Sequence, residues 1–306
     1  MKLLTYLAAS QPTLGVVIND TQVLNVSAAW DGAGGGAAVG APRTVLDLIE
    51  LGDAGLEQLR QIVARDAQTP GERLPLSGLQ WLAPIPLPRK NVFCVGRNYR
   101  EHIIEGNLAR GRDPHDFPKA LEFFSKAPTT VVGHRAPVKL HGGITKMLDY
   151  EIELGIVIGK GGVNISRENA LEHVFGYTIV NDVTARDLQA LHGQWFKGKT
   201  LDTSCPIGPY IVHRSAVPDA QALQLELDVN GELRQQSSTS SMLFGVPEII
   251  EQLSAGLTLS PGDIIATGTP SGVGFAKTPP LALKAGDVMR ARIAGFGELE
   301  NTIVEF

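Results

Sequence analysis

The sequence predicts an α+β protein dominated by strands, a barrel or rolled sheet with peripheral helices preceded by a small N-terminal α+β unit. Three observations carry this. The 34 glycines and 19 prolines among 306 residues are spread along the chain, so it turns often, which suits short strands better than long helices. Strand-type alternation recurs, most strictly at Leu223, Leu225, Leu227 and Val229, and runs straight into Asn230-Gly231, the dipeptide best suited to a tight hairpin. A proline-rich stretch ending in Pro84, Pro86 and Pro88 can continue neither a helix nor a central strand, so it divides residues 1–84 from residues 85–306.

The elements follow in order. Gly15-Val16-Val17-Ile18 and Val23-Leu24-Asn25-Val26 flank Asn19-Asp20 as a hairpin. Helical spacing of apolar residues marks Thr44 to Leu51, stopped by Gly52, and Leu56 to Ala64. Beyond the boundary, Asn91 to Val95, Tyr150 to Gly159, Phe175 to Val180, Ile264 to Thr267, Val288 to Ile293 and Leu299 to Val304 read as strands. Helices are expected from Ser166, a suitable N-cap, to Val174 and from Thr184 to His192, ended by Gly193.

Composition excludes several classes. Lys plus Arg number 27 against 32 Asp plus Glu, a net charge of −5, and 43% hydrophobic with 19% charged residues is ordinary globular usage, so neither disorder nor a nucleic-acid partner is expected. No run reaches the roughly 20 apolar residues of a spanning helix, and Met1 to Ala9 is too short and polar for a signal sequence. A cytoplasmic protein without a membrane partner is the expectation. Cys94 and Cys205 stand alone, in no disulfide framework and no metal-type spacing.

The sharpest chemical constellation is Asp149-Tyr150-Glu151-Ile152-Glu153-Leu154. Side chains alternate along a strand, so Glu151 and Glu153 share one face. The next strand ends in Asn181-Asp182, which adds a third carboxylate. Three carboxylates without Cys or His make a hard, all-oxygen set suited to Mg²⁺, Mn²⁺ or Ca²⁺ and poorly suited to zinc. The Glu-x-Glu spacing by itself describes a solvated strand face equally well. In a helix, His102 and Glu105 would be neighbours, a carboxylate orienting an imidazole for proton abstraction, or else an exposed pair. Gly106 to Asp116 reads as a lid or a plain surface loop. Arg186 and Gln189 share a helix face with Asp182, and Lys126 and Lys199 are further cations able to hold a substrate carboxylate or a developing enolate. Gly268-Thr269-Pro270-Ser271-Gly272-Val273-Gly274 follows a strand and can bring backbone N–H groups close to a ligand, but lacks the lysine of a phosphate-binding loop. The string Gly32 to Ala37 fits a dinucleotide fingerprint without the strand that must precede it, and Asn164-Ile165-Ser166 fits a glycosylation sequon with no other sign of secretion; no site is assigned to either.

Gly96-Arg97-Asn98-Tyr99 with His102 and Glu105, the Asp149 to Leu154 run, Val180 to Gln189, Lys199 with Asp202-Thr203, Pro206-Ile207-Gly208-Pro209 and Ala266 to Gly274 together resemble the fumarylacetoacetate hydrolase family, in order and in spacing, from about residue 85 to Phe306. The resemblance implies a mixed β-roll or β-sandwich catalytic domain with a small N-terminal extension, a homodimer, and Mg²⁺ or Mn²⁺ held by Glu151, Glu153 and Asp182. It implies His102 and Glu105 as a water-activating pair and Lys199 as a stabiliser of the enolate. Arg97, Tyr99, Lys126, Arg186, Gln189, Gly268 and Thr269 become substrate-binding candidates. The expected substrate is a small 2-oxo or β-diketo acid, and the expected reaction is C–C hydrolysis of an acylpyruvate or fumarylpyruvate in the catabolism of aromatic or related compounds. Decarboxylation, isomerisation or tautomerisation of a 2-oxo acid such as oxaloacetate or 2-hydroxyhepta-2,4-diene-1,7-dioate is the alternative. A non-catalytic, metal-stabilised protein is a third reading, against which His102 with Glu105 argues.

Overall fold

The structure, a computed structural model, describes residues 1–31 and 40–306, so the glycine string of Gly32 to Ala37 lies outside the described residues. The fold is α+β and mostly β. Ten strands run edge to edge as Arg73–Pro75, Gln22–Asn25, Gln11–Asn19, Lys2–Ala8, Cys205–His213, Val174–Asn181, Ile152–Ile158, Ile264–Ala266, Val92–Gly96 and Glu122–Lys126, with two short strands attached beside them. A five-stranded second sheet is ordered Glu232–Ser238, Gln224–Val229, Val288–Ile293, Gly297–Val304 and Val138–Lys139. The N-terminal strands thus extend the same sheet as the central ones, through Leu3 paired with Ile211.

The two faces of the central strands bury different things. Ile152, Leu154, Ile156 and Ile158 point with Tyr177 and Ile179 into an aliphatic core shared with Leu225, Leu227, Met289, Ala291 and Leu299 of the second sheet. On the opposite face, Val157, Val180, Cys94 and Cys205 join a core that continues under Leu48, Leu59 and Ile62 of two N-terminal helices. Both cysteines are free and buried. Burial on both faces explains why the strand Ile152–Ile158 reads as a nearly continuous apolar run.

Most predicted elements form, with instructive shifts. The hairpin at Asn230-Gly231 joins Gln224–Val229 to Glu232–Ser238 as expected. Thr44 caps Val45–Glu50 in a reciprocal capping box with Asp47, and Gly52, at φ +60°, breaks the chain and opens the longer helix Gly52–Gln68. The segment after Ser166 is a 3₁₀ helix, Arg167–His173, without a side-chain cap hydrogen bond, rather than the capped α-helix expected. Thr184 and Ala185 are a two-residue strand, and the helix covers only Arg186–Leu191. The strand Lys2–Ala8 and the helix Val246–Ser254 were not expected. The helix had a legible signal in Val246, Ile249, Ile250 and Leu253, all buried at helical spacing. Among the described residues no helix is long and apolar enough to cross a membrane.

Candidate active site

Sheet register builds the carboxylate cradle. Glu153 lies opposite Val180 and Ile152 opposite Asn181 on antiparallel strands, so Glu151 comes level with Asp182, whose N–H donates to the Glu151 carbonyl at 2.8 Å. Glu151 and Glu153 share the face of Val157, and Asp182 the face of Val180. One oxygen from each of the three carboxylates falls within 4.8 Å of the others, and all three side chains are buried. The Asn181 side chain accepts the Glu151 N–H at 3.0 Å and locks this junction.

Three buried cations surround the acids. Lys199 Nζ donates to Glu151 Oε2 at 2.5 Å and to Asp182 Oδ2 at 2.6 Å. Arg186 donates from Nε to Asp149 Oδ2 at 2.9 Å, from one terminal nitrogen to Glu151 Oε1 at 2.6 Å, and from the other to Gln189 Oε1 at 3.2 Å. Lys126, fully buried, donates to the Val183 carbonyl at 3.0 Å, and its Nζ lies 2.8 Å from Asp182 Oδ1 outside hydrogen-bond geometry. Burial pushes the Glu151 carboxyl up, but Arg186 and Lys199 outweigh it and hold it below the usual carboxylate range. Glu153 is raised well above that range by burial and by the neighbouring Asp182 and Glu151. Burial pulls Lys199 and Arg186 down, but their partners outweigh it: Asp182 and Glu151 raise the first, Glu151 and Asp149 the second.

This donor set fits a hard divalent cation. It is all oxygen, it crowds three acids in a low-dielectric site, and Asp182 Oδ1 is buried with no hydrogen-bond donor.

His102 and Glu105 sit on the helix Arg100–Ala109 that flanks the cradle. His102 Nδ1 is 3.0 Å from Glu105 Oε1, and the Gly272 N–H donates to both Glu105 oxygens at 3.0 and 2.9 Å. Gly272 must be glycine: its φ is +106°, and a Cβ would meet the Arg234 carbonyl at 2.1 Å. The same loop donates the Gly268 N–H to Glu153 Oε2 at 2.7 Å.

A cleft of about 830 Å³ joins these groups. Of the residues selected from sequence, Arg97, His102, Glu151, Glu153, Arg186, Gln189, Lys199 and Thr269 line it. Arg97 is drawn to Glu122 at 3.1 Å and to the Asp116 carbonyl. Others stand back from it. Lys126 lies behind Asp182, Gly268 acts through its N–H on Glu153, Glu105 supports His102, and Tyr99 is wholly buried with its hydroxyl unpaired. Sequence reasoning missed Arg110, Phe124, Trp195 and Phe275 on the cleft wall, and Asp149 behind Arg186. Asp149 had a signal, as it heads the Asp-Tyr-Glu-Ile-Glu run; the aromatic residues had none.

A buried acidic cradle, a flanking His–Glu pair and an open cleft thus lie together in one place. Residues 91–304 match the family model for the C-terminal part of fumarylacetoacetate (FAA) hydrolase, and the chain belongs to that family. It is 50% identical over 268 residues, 86% of this chain and 87% of the relative, to oxaloacetate tautomerase YisK of Bacillus subtilis. Among solved structures, fumarylacetoacetate hydrolase from Exiguobacterium antarcticum superposes with a TM-score of 0.82 at 39% identity over 100% of both chains. Maleylpyruvate hydrolase from Sphingobium sp. SYK-6, solved with manganese(II) and pyruvate, gives 0.76 at 32% identity over 100% of this chain and 99% of that one.

Proposed function

We propose that the protein is a divalent-metal-dependent tautomerase of a 2-oxo acid of the oxaloacetate type, an intracellular enzyme of small-molecule metabolism. The observation that carries this over the C–C hydrolase reading is the 50% identity, across most of both chains, to an oxaloacetate tautomerase, joined to an acid–base pair placed beside an acidic cradle. Glu151, Glu153 and Asp182 would hold Mg²⁺ or Mn²⁺, which supplies electrophilic polarisation of the 2-oxo group when bound.

The chain's own residues account for the proton movements. Glu105 holds His102 through Nδ1, which leaves Nε2 to take a proton from the carbon next to the oxo group and to deliver it to the oxo oxygen, completing the enol; the reverse transfers restore the keto form. Lys199 spends two of its three protons on Glu151 and Asp182, and the third can meet the substrate oxygen on which negative charge develops. Arg186 and Gln189, joined at 3.2 Å on the cleft wall, suit the substrate carboxylate.

The likeness to a maleylpyruvate hydrolase holding manganese and pyruvate supports a second reading, in which His102 activates water and an acylpyruvate is cleaved. One assay separates the two. Enolic oxaloacetate and acetylpyruvate are each followed by ultraviolet absorbance with Mn²⁺ and after chelation, with products weighed by mass spectrometry. Metal-dependent acceleration of enol-to-keto conversion with all carbons retained is the expected result. Pyruvate plus acetate from acetylpyruvate would favour the hydrolase, and no acceleration with either compound would overturn both readings.

A further inference from the structure

Asp149 has no part in the proton movements above, yet two separate segments of the site converge on its carboxylate. It is 1% exposed. Its Oδ2 accepts from Arg186 Nε at 2.9 Å and from the Phe275 N–H at 3.1 Å, while its Oδ1 accepts from the Gly274 N–H at 2.8 Å and the Tyr150 N–H at 2.9 Å. A Cβ on Gly274 would stand 2.7 Å from Asp149 Oδ1 and 2.2 Å from the Leu281 carbonyl, so the loop approaches this carboxylate as closely as backbone can. The next residue, Phe275, lays its ring against the Arg186 guanidinium at 4.5 Å and the Arg110 guanidinium at 4.6 Å. Two guanidinium carbons on one ring lie no farther apart than the sum of those distances, about 9 Å.

We propose that Asp149 is a positioning residue, which aims Arg186 into the cleft and ties the loop carrying Phe275 to the same point. The physical reason is the freedom of an arginine head. Without Asp149 the guanidinium would keep only its terminal nitrogens' contacts, to the Glu151 carboxylate at 2.6 Å and the neutral Gln189 amide at 3.2 Å; the charged anchor at Nε fixes the inner end of the head and so its plane. An asparagine is isosteric but presents one amide N–H₂ where every neighbour is a donor. Arg186 Nε with the Phe275 N–H, or the Gly274 N–H with that of Tyr150, then loses its acceptor. Partners that orient metal-ligating side chains commonly change metal affinity or activity by about 10-fold to 100-fold, and the same leverage is expected on the anion that Arg186 binds. The proposal rests on the reading of Arg186 as the carboxylate-binding residue.

The test is a double-mutant cycle on the Mn²⁺-loaded protein with oxalate, an unreactive dicarboxylate that stands in for the carboxylate and oxo oxygens of a 2-oxo acid. Asp149→Asn should weaken oxalate binding by about 10-fold or more, and by more than it weakens Mn²⁺ binding read by electron paramagnetic resonance. Because the residue acts through Arg186, the Asp149→Asn, Arg186→Gln double variant should bind oxalate no worse than Arg186→Gln alone. Additive losses, or an Asp149→Asn protein that binds oxalate like the parent, would overturn the proposal. If the parent protein binds no oxalate, the 2-oxo acid reading falls, and a crystal structure of Asp149→Asn decides this one separately: a displaced Arg186 head supports it and an unmoved one overturns it.

Discussion

The N-terminal part of the large sheet and its middle bury opposite kinds of chemistry. In the first, Leu3, Leu14, Val16 and Leu24 share a core with Val45, Leu48, Leu59 and Ile62 that also takes in Trp30. Beside the central strands, Asp149, Glu151, Glu153 and Asp182 lie buried with Lys126, Lys199 and Arg186. The first region is held by area removed from water and tolerates any sequence that fills the same volume. The second is held by pairing, and its carboxylates crowd so closely that burial with Asp182 and Glu151 raises Glu153 well above the usual carboxylate range, a strain that a further cation would relieve.

The difference can be broken from either side. The largest expected effect is on chemistry alone: His102→Ala should slow turnover by about 10²-fold to 10⁴-fold while Mn²⁺ affinity and melting temperature stay at the parent values. A fall in Mn²⁺ affinity of the same size would place His102 in the cradle instead. Lys126→Met should destabilise the metal-free protein by about 3–5 kcal/mol in denaturant titration, because Asp182 loses a buried counter-ion, and Mn²⁺ should restore much of that loss. A loss that Mn²⁺ does not touch would separate Lys126 from the cradle electrostatics. Leu59→Ala in the N-terminal core should cost about 2–5 kcal/mol through a cavity and leave Mn²⁺ affinity unchanged. Weaker Mn²⁺ binding there would show the two regions to be coupled.

A smaller effect is expected away from both regions, where His134 packs edge-on against Trp81 and its Nδ1 accepts the N–H of Glu300 in the second sheet at 3.1 Å. Burial, with Arg135 nearby, pushes the imidazole down to about 4 from 6.5. The unfolded chain therefore binds the proton first as pH falls. The stability contributed by the neutral ring is complete well above pH 6.5 and drains away towards pH 4, by about 3 kcal/mol in all. Melting curves across that range should show a loss that His134→Gln lacks, and parallel curves would remove His134 as its source.

Particular residues show what could be read from the chain and what could not. The strict alternation before Asn230-Gly231 and the helical spacing from Thr44 to Leu51, stopped by Gly52, were legible because each is a local pattern with a local energy. The strand Lys2–Ala8 was not, since its partners lie at Gln11–Asn19 and at Cys205–His213, the latter some two hundred residues away. The segment after Ser166 carried an α-helical signal that lost to a tighter 3₁₀ turn leading directly into Val174–Asn181. In the site, the Glu-x-Glu spacing proposed a shared face, but the solvated alternative was removed only by burial against a second strand.

By itself the sequence determined the alternating and helically spaced elements, the placing of Glu151 and Glu153 on one strand face, and the spacing of His102 and Glu105 on one helix, because these depend on periodicity and near neighbours. Tertiary structure decided everything that depends on distant segments meeting. It brought Asp182 level with Glu151, slid Lys199 between them, set Lys126 behind, and tied Glu105 and Asp149 to one glycine loop. The physical reason is that a hydrogen bond or ion pair between remote residues leaves no period in the chain; its energy exists only once the sheet has closed around it.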